Sequence, residues 1–297
     1  MTDRHIPKRV FSPARDEAAV ARKATPAPQT TSPAYKLAFQ DEEFLLREDL
    51  RPVRFQLELL KPELLLEEAK IGSTFVFYGS ARIPEPARAD ALVEAAATDT
   101  QRAIAGRLKA KAKYYEEARA LARLAGRSPA DADGRRQFVV CSGGGPSIME
   151  AANRGAVDVG AETIGLNIVL PHEQAPNPYV TPSLSFQFHY FALRKMHFLL
   201  RARAVAVFPG GFGTFDETFE LLTLVQTGKM RMLPILFFGK EFWTRVIDFG
   251  ALVEEGVISP NDLDLIRFVE TADEAWEAVT AYYRELEANG AHQGAGK

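Results

Sequence analysis

The chain has 297 residues, 46% of them hydrophobic and 25% charged, which suits one sizeable α/β domain with extensions or two small domains. A formal net charge of −3 provides no global basic field for nucleic acid or an anionic membrane, so any anion must be held by local geometry. The single cysteine, Cys141, excludes an intramolecular disulfide and a Cys-rich metal site, and fits a reducing compartment. The first residues carry no apolar run of the signal-peptide kind. No stretch nears the roughly 18 apolar residues of a membrane span, so a cytoplasmic protein is expected, with neither membrane nor nucleic acid as a partner.

Residues 1–34 are rich in Pro, Ala, Thr, Arg and Lys, and are expected to stay disordered because they bury too little surface to offset their ordering entropy. Residues 35–72 read as a helical extension. Phe44, Leu45, Leu50, Phe55, Leu57 and Leu60 suggest two helical pieces parted near Arg51-Pro52, packed on the main domain or on a partner subunit. From 73 to 288, short apolar runs ending in glycine alternate with amphipathic stretches. Strands are expected at 74–78, 138–141, 163–170, 184–188, 204–208 and 233–238. Helices are expected at 87–124 (with a break), 147–159, 190–203, 215–226, 241–252 and 273–287, before a flexible tail at 289–297. Apolar strands alternating with helices predict an α/β fold, a Rossmann-like doubly wound parallel sheet with an N-terminal helical extension.

In such a sheet ligands bind beyond the carboxyl ends of the strands. Two of these ends are glycine-rich: Ser142-Gly143-Gly144-Gly145-Pro146-Ser147 and Pro209-Gly210-Gly211-Phe212-Gly213-Thr214. Glycine lets backbone approach a ligand closely, and the next helix aims free N–H groups and its positive dipole end at the same point. That is a phosphate site without a lysine. One such corner can be a mere tight turn; two in one sheet favour a ligand. Neither is a Walker A motif nor a dinucleotide fingerprint, so a monophosphate is the more natural guest.

Thr214 and Glu217 stand at T-x-x-E spacing, as do Ser147 and Glu150, and both pairs also fit a helix capping box. Glu217 is the stronger functional candidate because it follows three glycines. Arg194-Lys195 opens the helix that precedes the second glycine loop, where a solvated pair is the plainer reading. Arg82, just after the first strand, is placed to meet a phosphate. The five histidines form no metal-binding pattern, so no catalytic metal is expected, and His172, His189 and His197 read as ordinary residues. Ser80 and Ser142 lack the nucleophile elbow of a hydrolase triad.

Pro209-Gly210-Gly211-Phe212-Gly213-Thr214-Phe215-Asp216-Glu217 matches P-G-G-x-G-T-x-x-E at every fixed position, and with Arg194-Lys195-Met196, Gly143 to Glu150 and Gly79-Ser80-Ala81-Arg82 it resembles the LOG (LONELY GUY) family, long labelled lysine decarboxylase-like. The resemblance spans roughly 74–287. It departs at Ser147, where many relatives have glycine, and in the long N-terminal extension. It implies a phosphoribohydrolase without a cofactor, which cleaves the N-glycosidic bond of AMP or a cytokinin riboside monophosphate to free base and ribose 5-phosphate. It implies Arg194 and Glu217 as catalytic residues. Substrate and phosphate would be bound by Gly79, Ser80, Arg82, Gly144, Gly145, Glu150, Lys195, Gly210, Gly211, Gly213 and Thr214. It also implies a homodimer or a larger homo-oligomer. Decarboxylation would need pyridoxal phosphate on a lysine, and no lysine stands in an evident cofactor pocket. The rival expectation is a non-catalytic nucleotide or molybdenum-cofactor carrier using the same loops.

Overall fold

The computed structural model describes residues 11–171 and 175–294, and the chain forms two compact units, Met1–Leu64 and Leu65–Lys297. In the first unit, α1 (Ala14–Ala21) lies in the stretch expected to be disordered; residues 1–10 of that stretch lie outside the described residues. Helix α2 (Glu42–Leu45) is capped by Asp41, whose carboxylate accepts from the Phe44 N–H. Helix α3 (Arg51–Glu68) starts at the Arg51-Pro52 pair where a break was expected. Proline lacks an N–H and suits a first turn, so the pair opens the second helical piece.

The second unit runs β1 (Thr74–Tyr78), α4 (Pro86–Glu94), α5 (Asp99–Ala110), α6 (Lys113–Gly126), β2 (Val139–Ser142), α7 (Ile148–Val157), β3 (Thr163–Ile168) and β4 (Ser185–Phe188). It continues with α8 (Phe191–Leu200), β5 (Ala202–Val207), α9 (Phe212–Gln226), β6 (Ile235–Phe238), α10 (Lys240–Val246), α11 (Phe249–Glu254), β7 (Arg267–Val269) and α12 (Ala272–Gly294). The seven strands form one sheet in the order β4-β3-β2-β1-β5-β6-β7, every neighbouring pair parallel. This is the doubly wound arrangement expected, with the strand order reversing between β1 and β5.

Strand periodicity sorts the core into two layers. Phe75 and Phe77 of β1 face one layer with Ala204, Ala206, Leu236 and Phe238, under α6, α7 and α12. Val76 and Tyr78 face the other with Val205, Val207, Ile235 and Phe237, under α8, α9 and α10. The helical region expected at 87–124 with a break is three helices, broken twice. Thr98 starts the second of them, capping α5 in a reciprocal box with Gln101. Strand β7, three residues on the sheet edge, is too short to show an alternating pattern and was not anticipated; nor was the continuation of α12 through residues 289–294, placed in a flexible tail.

Helices α6 and α7 approach closely through alanines and Gly155. A Cβ at Gly155 would lie 2.2 Å from the Arg119 carbonyl oxygen, a backbone atom that no rotamer change can move. Gly155→Ala is therefore expected to cost about 2–3 kcal/mol of overpacking, more than the ~1 kcal/mol it gains in helix propensity. Thermal denaturation should show a melting temperature lowered by about 3–6 °C; an unchanged value would show that the two helices have room to part.

Candidate functional site

The carboxyl ends of β1, β2, β3 and β5 and the starts of α7 and α9 enclose a cavity of about 1090 Å³, ample for a small-molecule ligand. Of the residues singled out in the sequence, Gly79, Ser80, Arg82, Gly144, Gly145, Glu150, Arg194, Gly211, Gly213, Thr214 and Glu217 line it. Gly210 and Lys195 do not.

Helix α9 begins at Phe212, inside the glycine motif rather than after it, with Gly211 as its N-cap. Thr214 is thus the third helical residue and not a cap, and no side chain caps this end, so the T-x-x-E capping box is absent. The N–H groups of Phe212, Gly213 and Thr214 occupy the first-turn positions that lack intrahelical acceptors, beside the cavity. A Cβ at Gly211 or Gly213 would meet nothing within 4 Å, so these glycines are not required by packing of the chain itself. Gly210 is different: a Cβ there would strike the Thr214 side chain at 2.1 Å. Its bareness lets Thr214 tuck in.

Arg194 and Glu217, on the helices either side of β5, meet as an ion pair. Arg194 Nη1 donates to Glu217 Oε1 at 3.1 Å, Nε donates to the Leu166 carbonyl at 2.7 Å, and the guanidinium lies 5.0 Å from the Phe198 ring centre. The side chains are 11% and 12% exposed, so the solvated-cation reading of Arg194 is overturned. Burial pushes the Glu217 carboxyl up to about 7; the Arg194 charge opposes that shift and Asp216 reinforces it. Tyr78, beneath the pair, is raised by burial first and by the Glu217 charge second. Burial likewise pushes the Cys141 thiol up, which leaves it inert.

Lys195 points away from the cavity. Its ammonium lies 3.0 Å from Asp216 Oδ1 and 2.9 Å from Glu220 Oε2, so it is neither solvated nor on a phosphate site.

The first glycine loop is fixed by buried amides that the sequence did not flag. Ser142 Oγ donates to Asn153 Oδ1 at 2.8 Å and accepts from the Gly144 N–H at 3.0 Å. Asn177 donates from Nδ2 to Asn153 Oδ1 and to the Gly145 carbonyl, and from its backbone to the Gly144 carbonyl. A signal for Asn153 existed, since it is a polar residue on the apolar face of α7; Asn177 had none. Gly144 takes φ +72°, and a Cβ there would meet Asn167 Oδ1 at 2.4 Å. Gly143 makes room for Arg194, whose Nη2 would sit 2.6 Å from a Cβ at that position. Glycine spacing alone does not reveal that role.

Ser147 has φ +66°, the left-handed region that favours glycine, and its Oγ donates to the Ile83 carbonyl at 2.5 Å. Its capping box with Glu150 is absent too. Glu150 Oε1 instead faces the Tyr115 hydroxyl at 3.4 Å, a long contact beside Arg154, which donates to Glu85 Oε1 at 2.9 Å. Burial pushes the Tyr115 phenol up to about 12. Of the histidines, His197 is buried against Phe188, and His172 lies outside the described residues. Among the described residues there is no cluster of three or more His, Cys, Asp or Glu able to hold a metal, and no helix long and apolar enough to cross a membrane.

Residues 149–279 match the family model described as "Possible lysine decarboxylase", the family of LOG-type proteins. No curated protein matches the chain significantly. Among solved structures, TM1055, a structural-genomics target, is 18% identical, over 70% of this chain and 99% of its own, with a TM-score of 0.42. The molybdenum cofactor binding protein from the phototrophic bacterium Rippkaea orientalis is 15% identical, over 71% and 95%, at 0.40. The molybdenum cofactor carrier protein from Chlamydomonas reinhardtii is 16% identical, over 70% and 97%, at 0.40. The stretch 149–279 that is similar to the LOG-type family contains Glu150, the Arg194–Glu217 pair and the loop at Pro209.

Proposed function

We propose that the protein is a nucleoside 5′-monophosphate phosphoribohydrolase, releasing free base and ribose 5-phosphate from AMP or a cytokinin riboside monophosphate. The observation that carries this reading is a carboxylate poised near neutrality, Glu217, in the same cavity as an open helix N-terminus with no side-chain cap. A plain phosphate carrier has no use for a buried carboxylate beside its anion, since the two charges repel. The phosphate is assigned to the amides around Gly211, Gly213 and Thr214. Arg82, Ser80 and Glu150 are assigned to the remaining substrate contacts, with Glu150 on hydroxyl groups because a carboxylate repels a phosphate.

N-glycoside hydrolysis passes through a ribosyl cation-like state, by analogy with the oxocarbenium character of O-glycoside cleavage. Water oxygen bonds to C1′ as the C1′–N bond breaks. The electrons of that bond leave with the base, which takes up a proton from solvent, while the proton lost by water passes to Glu217 and from there back to solvent. The Glu217 charge also offsets the positive charge at C1′. Arg194 holds Glu217 in place.

Pyridoxal-dependent decarboxylation fits poorly. Among the described residues no lysine lines the cavity, and Lys195 is engaged by Asp216 and Glu220.

Incubation with a panel of nucleoside monophosphates, followed by chromatography, tests the reading through the appearance of free base. Tight nucleotide binding without base release would favour the carrier. The pH profile has a defined sign. Glu217 must be ionised to accept a proton, and its carboxyl is raised to about 7. Base release should therefore climb with pH, reaching half its plateau near about pH 7 rather than near the ordinary carboxylate value. A rate independent of pH between about 5 and 8 would remove Glu217 as the base.

A further inference from the structure

We propose that Lys195 is a positioning residue for Glu217: from outside the cavity its ammonium engages the two carboxylates that flank Glu217 on α9, and so keeps Glu217 ionisable beside the substrate. The inference rests on the reading of Glu217 as the working carboxylate. Its basis is geometric. Asp216 precedes Glu217 in sequence, and Glu220 lies three residues on, one turn away. Lys195 Nζ sits 3.0 Å from the first and 2.9 Å from the second, across the α8–α9 contact. Glu220 Oε2 is a buried atom, and the Lys195 ammonium is its charge partner.

Arg194 and Lys195 are adjacent on α8, and they pair with three carboxylates within five residues of α9. Arg194 takes the one inside the cavity, and Lys195 takes the two outside. An exposed ion pair contributes little; here the Lys195 side chain is 18% exposed and serves two acids at once, Glu220 at 35% and the more exposed Asp216 at 56%. The other titratable groups around Glu217 are Tyr78 on β1 and Cys141 on β2, both kept neutral by burial. The local balance is therefore two cations against three carboxylates. Without Lys195, two uncompensated anions would border Glu217 and disfavour its ionised form. Lys195 itself counters the effect of Asp216 on Glu217.

The test reads Glu217 directly by carbon-13 carboxyl NMR titration of the full chain, with its resonance assigned by its loss in Glu217→Gln. Lys195→Met should move the titration midpoint up by about one pH unit. Lys195→Arg, which preserves the charge, should keep the midpoint in place. Asp216→Asn and Glu220→Gln should move it down, and they carry the test if Lys195→Met does not fold. The acid limb of base release should shift with the midpoint, so that Lys195→Met loses about tenfold in rate one pH unit below the native midpoint while retaining most of its rate on the alkaline plateau. An unmoved midpoint in Lys195→Met, or an upward shift in the two acid-removing variants, would overturn the proposal. Because the titration needs no turnover, a protein that releases no base sinks the hydrolase reading while the midpoints still decide this one.

Discussion

Glu217→Gln should bind a nucleoside monophosphate within about tenfold of the native affinity and release base at least about 10³-fold more slowly. The substitution is close to isosteric. Glutamine retains a carbonyl oxygen for Arg194 Nη1, which donates to Glu217 Oε1 in the native chain, so the α8–α9 contact has no reason to shift. The phosphate assignment rests on backbone amides at the start of α9 that the mutation leaves alone. What disappears is the proton acceptor and the negative charge facing C1′, and both matter only as the glycosidic bond opens. Affinity by calorimetry and release by chromatography separate these effects. Native-like release from the variant would take Glu217 out of the mechanism.

Arg194→Ala should reduce turnover by about 10²-fold and also lower stability. This side chain serves three neighbours: the Glu217 carboxylate, the Leu166 carbonyl and the Phe198 ring. Its removal strands a buried carboxylate, and breaking a buried pair from one side costs about 3–5 kcal/mol. Part of that cost is recoverable, because Glu217 is already raised to about 7 and can take up a proton. Uptake of that proton also silences the base, so the acid limb should move upward. Arg194→Lys should not rescue fully, since one ammonium cannot reproduce a planar fork that reaches Leu166 and Glu217 at once. A lowered melting temperature with unchanged kcat would confine Arg194 to packing.

Much of this architecture was legible because its signals are local. Short apolar runs such as Thr74 to Tyr78, which leads into Gly79, declare a parallel sheet by alternating with amphipathic stretches. The Pro209 loop likewise advertises an open helix start. What stayed hidden depends on long-range proximity. Nothing about Asn177 in sequence indicates that it pins Gly144 and Gly145. The bareness of Gly143 reads as a turn requirement until Arg194 is found against it. Lys195 was misplaced for a related reason: adjacent residues on a helix point about 100° apart, so Arg194 and Lys195 cannot both face one cavity. The capping reading of Thr214 failed because the helix after Gly211 starts three residues earlier than the apolar pattern suggests, and that of Ser147 because its hydroxyl is turned to the Ile83 carbonyl.

The ion pair at the centre of the site is contained in one continuous stretch, α8–β5–α9, because Arg194 and Glu217 lie on the two helices that bracket a single strand. Other lining residues come from separate stretches, Arg82 and Glu150 after β1 and β2 and Asn167 near the end of β3. Substrate preference can therefore drift during evolution by exchange of these residues while the bond-breaking module is inherited whole. Divergence in guest, with constancy in chemistry, is the pattern of descent that this layout permits.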